Sequence, residues 1–345
     1  MHIAIVAGPY LPVPPKQYGG SEQVIYYLIK GLQKLGHTPI LLGAGDSTVG
    51  CEIIPVVDTS FSYPLTAAEI PAHLKRVQQA QEQTARSLRA ILPKIDVIHS
   101  HNFDLLPFNH FPNITTLHGR FEFGQLDYYK KHSELHYVSI SDNQRNAYPN
   151  LQYVSTVYNG EDPALFPIVT EPKDYLCFLG RFDWDKSPHH AIQLALALNM
   201  KIKLAGKINF KGETYFRDKI EPYLANPLVE YLGELNFTQK IDLLSRARCN
   251  LHPTNFREPF GLTVLEAAYC GTPTLAIARG AMPELIQAGQ TGMLVEDFVE
   301  GIHAIHNCFT MDRDYIAKQA RARFNYKIMA QQYVAAYDTV IKAYK

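Results

Sequence analysis

Residues 175–205 read YLCFLGRFDWDKSPHHAIQLALALNMKIKLA. An apolar run at 175–180 gives way to a polar loop, helical spacing follows over 187–199, and a second short strand-like run closes the stretch at 201–205. Strand, helix and strand in immediate succession predict a parallel βαβ unit. The alternation continues toward the carboxyl end, with strands expected at 228–232, 248–252 and 273–277 and helices at 213–225, 238–246 and 261–270. It is matched on the amino side by strands at 3–8, 39–43, 95–99, 113–117 and 135–139 and by helices at 21–35 and about 72–92. In the first of these helices Val24, Ile25, Leu28, Ile29, Leu32 and Leu35 fall on one stripe, and Gly36 ends it.

Between the two series the segment YNGEDPALFPIVTEPK, 158–173, loses periodicity and carries three prolines, as a connector does. The prediction is an α/β protein of two Rossmann-like, doubly wound parallel-sheet domains, 1–160 and 161–325. The tail, from about 312 to 343, reads as an amphipathic helix with no strand after it. Its last part, 326–345, is expected to pack back on the first domain. Ligands of open parallel sheets lie beyond the carboxyl ends of the strands, so two such sheets predict one cleft facing both domains, with function in the strand-to-helix loops.

The bulk numbers narrow the class. A length of 345 residues suits two domains of moderate size. Thirty-three basic and 33 acidic residues cancel, and they do so within each half: 12 of each in 1–160 and 21 of each in 161–345. Neither half is built for nucleic acid or an anionic membrane. The five cysteines (51, 177, 249, 270 and 308) are scattered without a C-x-x-C pair, which argues against a disulfide framework or a zinc site. Residues 1–8 lack the charged flank and length of a signal peptide, and no apolar run approaches the roughly 18 residues of a membrane span. A soluble, cytoplasmic protein is expected. Transient membrane association through the 72–92 helix, with Lys75, Arg76, Arg86 and Arg89, stays open.

Four constellations carry candidate chemistry. In HPTNFREPFGLTVLEAAYCGTP, 252–273, Glu258 and Glu266 stand eight apart, and Pro259, Phe260 and Gly261 lead into a helix. Glu266 is flanked by Leu262, Val264, Leu265, Ala267 and Ala268, so its carboxylate requires a partner. Ribose hydroxyls would serve, with Gly261 admitting a phosphate to the free N–H groups at the helix start. The competing reading has Glu258 capping the helix and Glu266 paired with a buried arginine. In GRFDWDKSP, 180–188, Arg181 and Lys186 come from one loop at a strand's carboxyl end and suit the charge of a diphosphate leaving group; the alternative is a solvated surface pair. Asp183 and Asp185 spell D-x-D, a metal-binding pattern, but the two cations that bracket it could supply the same positive charge and make a metal redundant.

The third constellation is KQYGGSEQV, 16–24, where Gly19 and Gly20 precede a helix with Ser21 as its expected N-cap. It lacks G-x-G-x-x-G, which disfavours a nicotinamide enzyme; the glycines either let backbone lie against a ligand or make a plain turn. The fourth is His118 in ITTLHGR, at a strand end where it could bond a hydroxyl or be merely structural. His99 and His101 in IHSHN have a spacing that a metal pair could use, with no third ligand evident.

Taken in order, these pieces resemble glycosyltransferase family 4, retaining enzymes of the GT-B fold, over nearly the whole chain. YGGSEQV is similar to the family's glycine-rich donor loop, DVIHSH and TTLHG to its paired strand ends, and VSISD and VYNGED to its approach to the linker. GRFDWDKS resembles its G-R-x-x-x-x-K-G phosphate loop, and EPFGLTVLE its E-x7-E signature.

The resemblance implies a metal-independent hexosyltransferase using a nucleotide-diphosphate sugar, most commonly a UDP-sugar, with no cofactor. Arg181 and Lys186 would hold the diphosphate, Glu266 the ribose and Glu258 the donor sugar. Phe260, Gly261 and Leu262 would offer backbone N–H groups nearby, His118 would bond the sugar near its reacting carbon, and Gly20, beside Gly19, would lie under the phosphate. Leu232 and Gly233 would meet the base. Ser187 replaces the usual glycine after the lysine, and Glu161 the usual isoleucine of NGID.

The implied partners are the nucleotide sugar and an unidentified acceptor, whether sugar, lipid-linked sugar or small molecule, with no nucleic acid and a homo-oligomer left open. The acceptor side, placed at 121–131 with Phe121, Phe123, Tyr128 and Tyr129, matches no assignable pattern. The rival readings are a sugar-nucleotide epimerase of the same architecture, which would act without an acceptor, and a silent sugar-nucleotide-binding module, which slow donor hydrolysis would exclude.

Overall fold

The computed structural model of the protein describes residues 1–345 apart from 18, 62–66, 120–124, 133 and 209–211. It divides into two compact units, Met1–Glu161 with Tyr326–Lys345, and Asp162–Asn325.

The first unit is a seven-stranded sheet, all of whose pairings are parallel. Along the chain run β1 (His2–Val6), α1 (Gly20–Lys34), β2 (Thr38–Ala44), β3 (Glu52–Val57), α2 (Ile70–Ile91) and β4 (Val97–Ser100). They are followed by β5 (Asn113–Leu117), α3 (Gln125–Lys131), β6 (Tyr137–Ser139), α4 (Asp142–Asn146) and β7 (Tyr153–Thr156). The spatial order is β3-β2-β1-β4-β5-β6-β7. Central β1 presents Ile3, Ala4, Ile5 and Val6, buried on both faces as parallel strands covered by helices must be. The order reverses between β1 and β4, so the loops that follow these two strands flank the switch point where such sheets bind ligands.

The second unit repeats the plan with six strands in the order β10-β9-β8-β11-β12-β13, again all parallel. Its elements are β8 (Tyr175–Leu179), α5 (Pro188–Ala197), β9 (Lys201–Ala205), α6 (Glu213–Lys219), β10 (Val229–Tyr231), α7 (Phe237–Arg246) and β11 (Cys249–His252). They continue with α8 (Leu262–Tyr269), β12 (Thr274–Ile277), α9 (Met282–Leu285), β13 (Gly292–Val295), α10 (Phe298–Cys308) and α11 (Arg313–Arg323). Here the switch point lies between β8 and β11, and the two flanking loops carry GRFDWDKS and the segment leading to EPFGL.

The expected single tail helix is two helices. α11 ends at Arg323, where the extended backbone of Phe324 (φ −127°, ψ 96°) breaks the spiral, and α12 (Tyr326–Ala343) begins where the Tyr326 N–H donates to Glu161 O at 3.0 Å. α12 returns to the first unit and packs on α1 over Gly31, where a β-carbon would stand 2.6 Å from Ala330 Cβ. Among the described residues no helix is long and apolar enough to cross a membrane.

Three strands escaped the sequence reading, β3, β7 and β13, and all three are sheet edges. β7 carries no continuous apolar run, and the runs of β3 and β13 are short, one interrupted by Pro55 and the other confined to Met293–Val295. A strand tolerates such a proline at an edge because no ladder donor is required there.

Candidate active site

In the second unit the loop after β8 is fastened from below and within. Phe182 is fully buried against Phe216 and Tyr231, which pins the loop's third residue to the core. The Asp183 carboxylate accepts the Lys186 backbone N–H at 2.9 Å and lies 3.5 Å from Arg181 Nε, so this half of the D-x-D pair shapes the loop and faces its first cation. Asp185 O accepts the Asn255 N–H at 2.7 Å, tying the loop to the one after β11. Gly206 has no room for a side chain: a β-carbon there would stand 1.8 Å from Gly180 O. Ser187 adopts the left-handed conformation (φ 47°, ψ 46°) that favours glycine, and its hydroxyl donates to Trp184 O at 2.6 Å. The departure from the family's glycine is therefore tolerated at a strain of about 1–2 kcal/mol, offset in part by that hydrogen bond.

This geometry delivers Lys186 onto Glu258. The ammonium lies 2.5 and 2.6 Å from the two carboxylate oxygens, and His252 Nε2, at the end of β11, stands 2.9 Å from Oε2. Burial alone would raise the Glu258 carboxyl, but the Lys186 charge and the His252 ring outweigh it and hold the group well below the usual carboxylate range. Burial lowers His252 in turn, opposed by its hydrogen bond to Glu258. Glu258 does not cap α8, whose N-cap is Gly261, with no side-chain cap. Gly280 backs the carboxylate residue closely, since a β-carbon there would meet Glu258 N at 2.3 Å.

The start of α8 has the open character that an anion needs. Gly261 takes φ 111°, and its carbonyl accepts Val264 and Leu265 N–H at 3.1 and 3.2 Å. The Leu262 and Thr263 N–H groups, first in the helix, have no intrahelical acceptor. Phe260 is buried and packs edge-on to Phe324, anchoring the turn. Glu266, its side chain 4% exposed, pairs with Lys240 of α7, so its partner is a lysine rather than the arginine of the competing reading. Gly233, after β10, takes φ 72° with open space where a side chain would be.

In the first unit the site residues are neutral. His118 follows β5, and its Nε2 lies 2.7 Å from Nδ1 of His101, which follows β4. His99 beneath them bonds Tyr337 OH through Nδ1 at 2.8 Å and Thr116 Oγ1 through Nε2 at 2.7 Å. The His99 and His101 spacing thus serves a hydrogen-bond network. Burial lowers all three rings, His118 to about 4 and the other two well below the ordinary histidine value, with neighbouring histidines adding to the effect for His99 and His101. Gly19 is buried against Pro15 and Leu11, and Gly20 is the first residue of α1. Ser21 lies inside the helix, and Gly19 is the N-cap, with no side-chain hydrogen bond; the expected serine cap is not formed. Of the acceptor-side residues, Tyr128 and Tyr129 lie in α3 with rings edge-on at 5.4 Å, and Phe121 and Phe123 fall outside the described residues.

Residues 18–159 match the family model for Glycosyltransferase Family 4, and residues 166–323 match that for Glycosyl transferases group 1. The chain belongs to glycosyltransferase family 4. Among relatives of this glycosyltransferase, the glycogen synthase of Mycobacterium tuberculosis (strain ATCC 25618 / H37Rv) is 25% identical over 345 residues, covering 85% of this chain and 82% of that one. Of solved structures, AviGT4, a glycosyltransferase involved in avilamycin A biosynthesis, superposes with a TM-score of 0.76 at 23% identity over 99% of this chain and 98% of its own. Anabaena Alr3699/HepE in complex with UDP-glucose does so with a TM-score of 0.74 at 16% identity over 98% and 100%. The architecture is the GT-B fold.

Three polar residues of this family 4 chain escaped the sequence reading: His252 and Lys240, which hold the two glutamates, and His101, as the partner of His118. His252 was visible as a histidine ending a strand next to E-P-F-G. Lys240 had no local signal, since 26 residues and a helix-to-helix contact separate it from Glu266.

Proposed function

We propose that this glycosyltransferase moves a hexose from a nucleotide-diphosphate sugar, a UDP-sugar in the first instance, to an acceptor with retention of anomeric configuration and without a metal. The carrying observation is the Lys186–Glu258–His252 cluster beside the uncapped start of α8, at the switch point of the second sheet. That the Anabaena neighbour was solved with UDP-glucose supports the choice of donor.

In the free protein the Lys186 ammonium is paired with both carboxylate oxygens of Glu258. An arriving diphosphate competes for that ammonium, joined by Arg181 and by the Leu262 and Thr263 N–H groups. Glu258, released from part of its pairing, accepts from hydroxyls of the donor sugar, and Glu266 accepts from the ribose. His118 hydrogen-bonds the sugar near its reacting carbon. The acceptor attacks from the face the nucleotide leaves, a donor phosphate oxygen takes its proton, and the protein supplies charge and position rather than a nucleophile. The two cations serve where other transferases use a metal. We place the reaction in the cytoplasm, with the acceptor a sugar, a lipid-linked sugar or a small molecule.

The test is a thermal-shift screen of UDP-, GDP- and ADP-sugars followed by NMR of the product's anomeric proton with excess EDTA present. A UDP-sugar should raise the melting temperature most, and the product should keep the donor's anomeric configuration at undiminished rate. Inversion, or loss of turnover with EDTA, would overturn the mechanism; interconversion of free nucleotide sugars without acceptor would make the protein an epimerase.

A further inference from the structure

His101 sits beneath His118 in an arrangement that fixes where protons lie. The His101 Nδ1 to His118 Nε2 distance of 2.7 Å requires one ring to donate and the other to accept. Both rings are neutral at ordinary pH, because burial lowers them. The deciding atom is His101 Nε2, which is buried and has no hydrogen-bond partner. A buried N–H left unpaired is rarer and costlier than an unpaired lone pair. The His101 proton therefore belongs on Nδ1, where it donates to His118 Nε2. His118, accepting there, must carry its own proton on Nδ1.

The rings leave little freedom to rearrange. His101 packs against His99 with rings tilted by 32° and centroids 4.2 Å apart, and His99 is held at both nitrogens by Tyr337 and Thr116, the latter also bonded to Tyr333 OH at 2.8 Å. Two tyrosines of α12 thus brace a row of histidines that ends on His118.

We propose that His101 is a positioning residue that locks His118 as the Nδ1–H tautomer, so that His118 presents a fixed N–H donor, suited to a sugar oxygen, at the carboxyl end of β5. The consequence for turnover rests on the donor-sugar role given to His118 above; the tautomer itself does not.

The experiment is a long-range 1H–15N correlation on the full chain labelled with 15N-histidine, at pH 7.5, with His118 assigned by its loss in His118→Gln. The native protein should show His118 protonated at Nδ1. His101→Leu should shift it toward the Nε2–H form that free imidazole side chains favour in water. His101→Asn, whose amide can donate from nearly the place of Nδ1, should restore Nδ1–H and shows whether the leucine result is only misfolding. In parallel, kcat should fall about tenfold in His101→Leu, the worth of one oriented hydrogen bond, and stay within about twofold in His101→Asn. An Nε2–H signal from native His118, or an Nδ1–H signal that persists in His101→Leu, overturns the proposal. If the tautomer behaves as stated but His118→Ala keeps full activity, the proton placement stands and the donor-sugar role of His118 falls.

Discussion

The two units use the same sheet logic for opposite electrostatics. Each gathers conspicuous polar residues around the carboxyl ends of parallel strands beside a switch point, with partners supplied from neighbouring strands and helices. In the second unit those residues are ions: Lys186 with Glu258, and Lys240 with Glu266, buried and paired. In the first they are neutral rings and hydroxyls, His118, His101, His99, Thr116, Tyr333 and Tyr337, joined by hydrogen bonds. The scaffold sets where chemistry happens and the loops set its sign. A charged diphosphate suits the unit that can exchange one anion for another; an uncharged sugar suits the unit whose donors carry no net charge.

The largest expected effect breaks the charged side. Lys186→Met removes a diphosphate contact and leaves Glu258 buried with only His252, so kcat/KM should fall a hundredfold or more and unit stability by about 3–5 kcal/mol. The double variant with Glu258→Gln should recover much of the stability in thermal unfolding but none of the activity. If the double variant recovered activity as well, the pair would be structural.

Acid should separate the units next. His99, His101 and His118 have folded pKa values below the unfolded value near 6.5, so the unfolded state binds more protons as pH falls from there toward 4. Their contribution to stability is complete above pH 6.5 and declines below it, by up to about 1.4 kcal/mol per pH unit for each ring. Glu258, with its depressed pKa, keeps contributing until pH drops below about 4.5 and then loses its contribution. Hydrogen exchange at pH 5 should therefore show β4 and β5, beside three lowered rings, losing more protection than β8 and β11, where His252 is the one lowered ring. Equal loss in both units would erase the contrast.

Smaller changes sharpen the picture. Glu266→Gln should weaken nucleotide binding by about tenfold in calorimetry, one charge-assisted hydrogen bond, and Lys240→Met should do less because the carboxylate remains. The smallest effect belongs to Ser187→Gly, which relieves left-handed strain but loses a hydrogen bond and adds freedom to the unfolded chain. Stability should change by less than about 1 kcal/mol, with activity kept.

Much of this was legible in the sequence, for physical reasons that also explain what was not. Central strands such as Ile3–Val6 and Tyr175–Leu179 are buried on both faces and announce themselves as apolar runs. The edge strand β7, Tyr153–Thr156, has no such run, and the runs of β3 and β13 are weaker signals, one broken by Pro55 and the other only Met293–Val295. Gly261 follows from its place at a helix start and Gly233 from the family resemblance, while the positive φ of both is visible only in the structure. The partners were hidden: Lys240 reaches Glu266 only because α7 packs on α8, and His101 meets His118 only because β4 and β5 are neighbours. Contacts made across elements have no periodicity to read. The tail read as one helix because both halves are amphipathic; its break at Phe324 comes from the chain passing from one unit to the other.

The most direct test is calorimetric titration of UDP and of uridine into the native protein, Arg181→Met, and Lys186→Met combined with Glu258→Gln. UDP affinity should fall at least tenfold in each variant while uridine affinity is unchanged, since the cations address only the diphosphate. Unaltered UDP binding, or an equal loss for uridine, would contradict the assignment of this loop to the leaving group.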